Sequence, residues 1–247
     1  MQPKDRIFVS LDVDTLEEVK KAMDAFVGLL PNIKVGLQVA TRESWKACID
    51  AAHERGFKVF CDAKFKDIPN TVETAAYSLT MHSPDYFTVM ADNSLEALQA
   101  IRRGTDRAAG ENGKPAPIII GVTVLTSISP DECVDLYGAD PKTKVMQFAE
   151  NTAEAGLDAI VCSPEEVEML RQNSKLDNLL LITPGIRPDW AQSNDQKRSA
   201  TPLEALERGA DMLVIGRPIT QPPAEIGSSV NAVNKILEEL SNYKPRR

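Results

Sequence analysis

The sequence predicts an α/β fold in which eight short strands alternate with helices, and three observations support it. Short apolar runs recur along the chain, each followed by a segment with helical periodicity. Capping signals typical of helix starts lie between the runs. The phosphate-binding motifs GxGxxG and GxxxxGK do not follow the first run. Eight parallel units in 247 residues favour a (β/α)8 TIM barrel over a doubly wound open sheet, which stays the structural alternative.

The predicted strands are the apolar runs themselves. They occupy residues 7–11, 33–35, 58–61, 86–90, 117–124, 159–162, 179–183 and 212–215. Three of the intervening helices are predicted to begin at a capping box, in which Ser or Thr is followed three residues later by Glu. The boxes are Thr15 to Glu18, Ser163 to Glu166 and Thr201 to Glu204. In the last two, a proline takes the first helical position. Because no linker-like stretch or internal repeat interrupts the pattern, we predict a single domain over residues 1–247.

The charge balance restricts the classes of partner. Lys and Arg total 28 against 36 Asp and Glu, which gives a formal net charge of -8. An acidic chain with no long basic block is not expected to bind nucleic acid or an anionic membrane surface. A small-molecule substrate is therefore the expected partner.

The cysteines and the N-terminal residues indicate a cytoplasmic protein. The four cysteines stand far apart without a CxxC pair, so we expect reduced thiols and neither a zinc site nor a redox motif. The first residues lack the features of a signal peptide, and no apolar run approaches the roughly 20 residues that span a bilayer.

Charged residues end several of the predicted strands. In a TIM barrel the active site lies at the carboxyl ends of the strands, so these residues are candidates for catalysis or binding. The strand-end charges are Asp12, Lys34, Asp62, Lys64, Asp67 and Arg217. Any one of them taken alone would more often be a solvated or salt-bridged surface group. Their concentration on one rim of the barrel favours an active site.

The third strand carries the most informative pair of charges. Side chains alternate along a strand, so Phe60, Asp62 and Lys64 are predicted to share a face. Lys34 on the neighbouring strand can reach the same pocket, where each ammonium would be held by a carboxylate. The alternative is an ion-pair network that only ties strands together. Because desolvation makes such networks a poor source of stability, we favour function.

The loops after the seventh and eighth strands resemble a phosphate-binding site. Gly185, Gly216 and Arg217 offer backbone N–H groups and a guanidinium at the place where barrels commonly bind phosphate. The alternative is that these glycines only form tight turns. A polar loop of some fifteen residues, including residues 195–198, follows the seventh strand and is predicted to act as a lid.

The segment Asp62-Ala-Lys-Phe-Lys-Asp-Ile-Pro-Asn-Thr71 resembles the signature of the orotidine 5′-monophosphate decarboxylase family. Further similar segments lie in register over residues 7–220. The resemblance implies a TIM barrel that converts orotidine 5′-monophosphate to UMP in pyrimidine biosynthesis, without cofactor or metal. It also implies a homodimer with shared active sites.

The resemblance assigns roles to the charged residues. Lys64 would protonate C6 of the pyrimidine, flanked by Asp62 and by Asp67 from the partner subunit. Lys34 and Asp12 would hold the ribose hydroxyls. The remaining implied substrate contacts are Thr71 across the interface, Thr126 at the pyrimidine edge, Gln196, Gly216 and Arg217 at the phosphate, and Arg187 in the lid and phosphate region. Met90 departs from the pattern, because many family members carry a histidine there.

Two other functions compete with this interpretation. One is a decarboxylase or aldolase of the same barrel superfamily that acts on a sugar phosphate with Mg²⁺. Such relatives place an acidic metal ligand where Lys34 stands, and a cation at that position should repel the metal. The other is a nucleotide-binding barrel without catalytic activity, which the intact set of lysines and aspartates does not favour.

Overall fold

The chain forms a closed barrel of eight parallel strands, as the sequence predicts. The computed structural model describes residues 1–191, 199–241 and 243–244. Neighbouring strands follow chain order, and the last strand pairs with the first. The strands are β1 (Ile7–Leu11), β2 (Asn32–Gly36), β3 (Lys58–Phe65), β4 (Tyr86–Met90), β5 (Ile118–Val122), β6 (Ala159–Val161), β7 (Leu180–Thr183) and β8 (Met212–Ile215).

Helices follow the strands and form the outer layer. They are α1 (Leu16–Asp24), α2 (Leu37–Arg42), α3 (Trp45–His53), α4 (Pro69–Thr80), α5 (Leu95–Asn112), α6 (Pro130–Tyr137), α7 (Pro141–Glu154), α8 (Val167–Arg171), α9 (Pro202–Arg208), α10 (Arg217–Thr220) and α11 (Ser229–Leu240). Two short 3₁₀ helices span Pro3–Arg6 and Ser174–Leu176. In the described part of the chain, no helix is long and apolar enough to cross a membrane.

Two hydrophobic clusters stabilise the barrel. The larger one lies between the strands and the helices, and the smaller one fills the barrel interior. In the interior, Phe8 packs edge-on against Phe60 with ring centroids 5.2 Å apart, and against Tyr86 at 4.9 Å. Because these rings close the centre of the barrel, the open space lies at the carboxyl ends of the strands.

Two of the three predicted capping boxes are confirmed, and one is wrong. The side chains of Thr15 and Thr201 accept the predicted backbone N–H, and α1 and α9 begin immediately after them. At the third box, the Ser163 N–H donates to the Glu166 carboxylate at 2.8 Å, but the Ser163 hydroxyl does not cap a helix. Residues 164–166 form a turn instead, so α8 begins at Val167.

Strand β3 is longer than predicted and is distorted near its end. Cys61 pairs with Phe87 and Phe65 pairs with Val89, so four steps along β3 match only two along β4. Lys64 within this bulge has a φ of 51°, in the left-handed region that non-glycine residues rarely adopt. Such a backbone conformation costs roughly 1–3 kcal/mol and often marks a functional site. The distortion therefore coincides with the charged end of the strand.

Candidate active site

A cavity of about 340 Å³ opens at the carboxyl ends of the strands. Residues from both halves of the barrel line it, with Phe60 among its apolar walls. The residues predicted for the site that line the cavity are Asp12, Lys34, Asp62, Lys64, Thr126, Arg187, Gly216 and Arg217. Except for Asp67, the charged strand ends thus share one pocket with the two predicted anion-binding loops.

Lysines and aspartates alternate along one side of the cavity. The Lys34 Nζ lies 3.4 Å from Asp12 Oδ1 and 3.2 Å from Asp62 Oδ2. The Lys64 Nζ lies 2.6 Å from the same Asp62 oxygen. Lys34 is almost completely buried, whereas Asp12 is exposed. The predicted array of alternating charges is therefore present, with Asp62 between two ammonium groups.

The two most buried members of this array are ionised. Burial alone would raise the pKa of Asp62, but the charges of Lys34 and Lys64 and the hydrogen bonds from Lys64 and Thr88 lower it to about 2. Burial opposes the charged form of Lys34, but Asp62 and Asp12 outweigh it and raise the pKa of the ammonium above its ordinary value. Both groups remain charged at neutral pH.

Two buried hydroxyl groups that the sequence analysis missed orient the carboxylates. Thr88 on β4 donates to Asp62 Oδ1 at 2.9 Å, and its oxygen accepts the Lys64 backbone N–H at 2.9 Å. Ser10 on β1 donates to Asp12 Oδ2 at 2.8 Å. Alternation along β1 and β4 could have placed both side chains on the inner face of the barrel, but alternation does not indicate which carboxylate each hydroxyl binds.

Asn93 holds the loop between β3 and α4. Its side-chain amide donates to the carbonyl of Phe65 at 2.9 Å and to that of Met90 at 2.7 Å. Its Oδ1 accepts the Asp67 backbone N–H at 3.3 Å. Asn93 is buried and was also missed from the sequence. Met90, the position that departs from the family pattern, is the last residue of β4 and is not among the described residues that line the cavity. Its backbone carbonyl instead accepts a hydrogen bond from Asn93.

Asp67 and Thr71 lie outside the cavity of their own chain. Both side chains are exposed, Asp67 in the loop after β3 and Thr71 in the first turn of α4. The described cavity lining contains neither of them. Ile68 between them is 65% exposed, which is unusual for a large apolar side chain. The second half of the signature segment thus faces away from the first half.

The loop after β7 returns to the cavity mouth. Arg187 donates its backbone N–H to the Ala200 carbonyl at 2.8 Å, and the Ala200 N–H approaches the Gly185 carbonyl at 3.4 Å. These bonds close the base of the loop beside the pocket. Gly185 has a φ of 78°, so a turn here requires glycine. Gln196, predicted for phosphate binding, lies in residues 192–198, outside the described part of the chain.

The two carboxylates of the cavity are arranged around a lysine side chain. The Lys34 ammonium stands between Asp12 and Asp62, where a bound metal would otherwise meet both carboxylates. Among the residues that the structure describes, no group of three or more His, Cys, Asp or Glu side chains is placed to hold a metal ion. All four cysteines are buried, and none of them forms a disulfide bond.

The fold and this pocket define a TIM-barrel enzyme with a densely charged active site. The model of the orotidine 5′-phosphate decarboxylase / HUMPS family matches residues 5–228. The chain belongs to this family, which confirms the resemblance inferred from residues 62–71.

Individual relatives agree with this assignment over nearly the whole chain. An orotidine 5′-phosphate decarboxylase of Heliobacterium modesticaldum is 37% identical, with full coverage of both chains. The Pasteurella multocida protein of the same name is 41% identical over 92% of this chain and 96% of its own length. The crystal structure of orotidine 5′-phosphate decarboxylase from Lactobacillus acidophilus superposes with a TM-score of 0.76 at 30% identity, covering 94% of this chain and 99% of the other.

Proposed function

We propose that the protein decarboxylates orotidine 5′-monophosphate to UMP. The observation that carries the proposal is the Lys64 ammonium, held 2.6 Å from Asp62 in the wall of a cavity that Arg217 also lines. An ammonium at one place and a guanidinium at another suit a substrate with a reacting carboxylate and a phosphate. The names of the relatives support the same reaction.

The chemistry explains why the site is built from charges. When the bond from C6 to the carboxylate breaks, CO2 leaves and the electron pair stays in an sp² orbital of C6 with no adjacent acceptor. Lys64 stabilises that pair electrostatically and then gives C6 its proton, leaving a neutral amine that solvent reprotonates. The barrier must fall by about 20 kcal/mol, near the upper end of the usual range for enzymes. Preorganised charges in a pocket that excludes water are the largest available contribution.

The remaining cavity residues would bind the substrate away from the reacting carbon. We assign Lys34 and Asp12 to the ribose hydroxyls and Thr126 to the pyrimidine edge. The phosphate contacts in our proposal are Gly216, Arg217, Arg187 and Gln196. Binding energy from the phosphate then contributes to the rate by closing the loop after β7 over the substrate.

We further propose that the active enzyme is a homodimer with shared sites. Asp67 and Thr71 are exposed and lie outside their own cavity, so a second subunit could receive them in its site. Ile68 supplies exposed apolar surface beside them. In the dimer, Asp67 of one subunit would stand beside Lys64 of the other, extending the alternating charges by one carboxylate.

A direct assay tests the reaction and the proposed independence from metal and cofactor. The loss of orotate absorbance is followed when purified protein, treated with EDTA, is mixed with orotidine 5′-monophosphate. We expect rapid conversion to UMP at the same rate as without EDTA. Activity lost with EDTA and restored by Mg²⁺ would favour the metal-dependent relatives. UMP binding without turnover would favour a nucleotide-binding barrel. The cytoplasmic location and the exclusion of nucleic-acid and membrane partners stay predictions from composition.

A further inference from the structure

The side chain of Thr88 is buried in the barrel, and its hydroxyl group contacts two residues of the charged array. We infer that Thr88 is a positioning residue for the decarboxylation: its oxygen joins the Asp62 carboxylate to the Lys64 backbone and thereby aims the Lys64 ammonium at the substrate carbon. The inference rests on the proposed role of Lys64 as the proton donor. Thr88 itself does not line the described cavity, so it acts through the two residues it holds.

The contacts of Thr88 cross from one strand to the next at the bulge. Thr88 lies on β4, and its side chain is completely buried. It donates to Asp62 Oδ1 and accepts from the Lys64 N–H, each at 2.9 Å. A hydroxyl is suited to this position because it can donate and accept at once. The other oxygen of Asp62 is then left for the ammonium groups of Lys34 and Lys64.

The bulge explains why such a link is needed. The regular pairing of β3 with β4 is interrupted between Cys61 and Phe65, and no β4 residue is paired with Lys64 there. The hydrogen bond of the Lys64 N–H goes to the Thr88 side chain instead. The left-handed φ of Lys64, 51°, is unfavourable and persists only when neighbouring groups hold it. Thr88 is one such group, and it fixes Lys64 relative to Asp62 with a single atom.

The side chain of Thr88 is also stiff. Its β-branched carbon restricts χ1, so the hydroxyl has few directions in which to move. A shift of the ammonium by about 1 Å can reduce the rate roughly 100-fold. This predicts an order of activity at position 88 in which Thr exceeds Ser and Ser greatly exceeds Val.

The test compares Thr88→Val, which keeps the shape but removes the hydroxyl, with Thr88→Ser, which keeps the hydroxyl. For Thr88→Val we expect kcat to fall about 100-fold. The dissociation constant of UMP should change by less than about threefold, because the contacts to the nucleotide remain. Thr88→Ser should recover kcat to within about tenfold of the original value.

A matched control separates positioning from general loss of a buried hydrogen bond. Thr105 in α5 is equally buried, and its hydroxyl donates to the Ile101 carbonyl at 2.9 Å, away from the cavity. Thr105→Val should lower the melting temperature but leave kcat unchanged. If Thr88→Val does not fold, Thr88→Cys replaces it, since a thiol of similar size is a weak donor and acceptor. Its kcat should fall at least about tenfold with UMP binding intact.

Several results would overturn the inference. One is an unchanged kcat in Thr88→Val, or in Thr88→Cys if that variant is used. Another is a parallel loss of kcat and UMP binding that Thr88→Ser does not restore, since that pattern indicates damage to the whole pocket. Lys64→Ala distinguishes a failure of the proposed function from a failure of this inference. Full activity in Lys64→Ala refutes the role of Lys64. An inactive Lys64→Ala together with a fully active Thr88→Val refutes only the inference about Thr88.

Discussion

At the scale of single residues, the site depends on the different partners of the two carboxylate oxygens of Asp62. Oδ2 faces both Lys34 and Lys64, and Oδ1 accepts from Thr88. Together with Asp12, the array contains two cations and two anions, so the array is neutral overall, while Arg187 and Arg217 add positive charge elsewhere in the cavity. A buried array of this kind contributes little net stability, because desolvation offsets the attraction between charges. Its value lies in holding an ammonium that does not have to reorganise when charge develops on the substrate.

Lys64→Ala should abolish turnover while the protein stays folded. General acid catalysis alone is worth about 10²–10⁴-fold, and loss of the electrostatic contribution adds to it. We therefore expect kcat to fall by at least about 10⁴-fold, while UMP still binds. Single-turnover kinetics and calorimetric titration with UMP measure the two quantities. Lys58→Ala is the control, because Lys58 is an exposed lysine at the opposite end of the same strand. Normal activity in Lys64→Ala would remove this lysine from the chemistry.

Asp62→Asn should change how stability depends on pH. The pKa of Asp62 is about 2 in the folded protein against an ordinary value of 3.8, so the ionised carboxylate stabilises the fold above that ordinary value. The contribution, about 2 kcal/mol, is lost as pH falls toward 2, and about 1 kcal/mol of it is gone by pH 3. The original protein should exceed Asp62→Asn in free energy of unfolding by about 3 kcal/mol at pH 6. Urea denaturation should show this difference shrinking by about 1 kcal/mol at pH 3. A difference independent of pH would contradict the assignment.

At the scale of elements, the sequence predicted the strands better than their distortions. Alternation along β3 correctly brought Asp62 and Lys64 into one pocket. It could not reveal the bulge, because the period of two assumes regular pairing and the bulge depends on contacts with β4. The start of α8 was misplaced for a similar reason. Of the two hydrogen bonds of the predicted capping box, only the one from the Ser163 N–H to the Glu166 carboxylate forms, and it closes a turn before the helix. Thr88 and the contacts of Asn93 with the loop after β3 were missed because the partners in these hydrogen bonds lie 24 to 28 residues away in sequence.

The close packing of α4 on α5 offers a test at this scale, because α4 begins directly after the loop that carries Asp67. A Cβ added at Gly104 in α5 would clash with the backbone carbonyl oxygen of Glu73 in α4. Gly104→Ala should therefore push the helices apart and destabilise the protein by about 1–3 kcal/mol. Gly110 lies in the same helix, and a Cβ there meets nothing within 4 Å.

Gly110→Ala is thus the matched variant for Gly104→Ala. It should stabilise the protein by about 0.5–1 kcal/mol, since alanine favours the helix more than glycine does. Chemical denaturation of both variants measures the difference. Equal effects at the two positions would show that the α4–α5 contact is looser than the structure indicates.

At the scale of the whole molecule, the barrel could be predicted from the order of strands and helices. Whether one chain contains every residue of the active site could not. Eight units in chain order leave few arrangements other than a closed barrel, so the architecture could be predicted from the pattern. One chain, however, shows Asp67 and Thr71 on its outer surface. Their assignment to a site depends on a second chain, which neither periodicity nor the contacts of one subunit reveal. The extent of the domain over residues 1–247 likewise stays a prediction.

Mixing two inactive variants tests whether the sites are shared. Lys64→Ala lacks the proton donor, and Asp67→Ala lacks the carboxylate proposed to come from the partner. If each site takes Lys64 from one subunit and Asp67 from the other, a hybrid dimer contains one site with both changes and one site with neither. Random exchange of subunits makes half of the dimers hybrids, so about a quarter of all sites should be intact and activity should rise to about that fraction.

The experiment requires the subunits to exchange. Exchange is checked by tagging one of the two variants, isolating the tagged dimers from the mixture and testing whether they contain the untagged variant. If Asp67 acted within its own chain, every site in the hybrid would lack either Lys64 or Asp67. Exchange without recovered activity would therefore assign Asp67 to its own subunit and contradict the shared site. Recovered activity that is lost again on dilution below the dimer dissociation constant would show that catalysis depends on the dimer and that Asp67 acts across its interface.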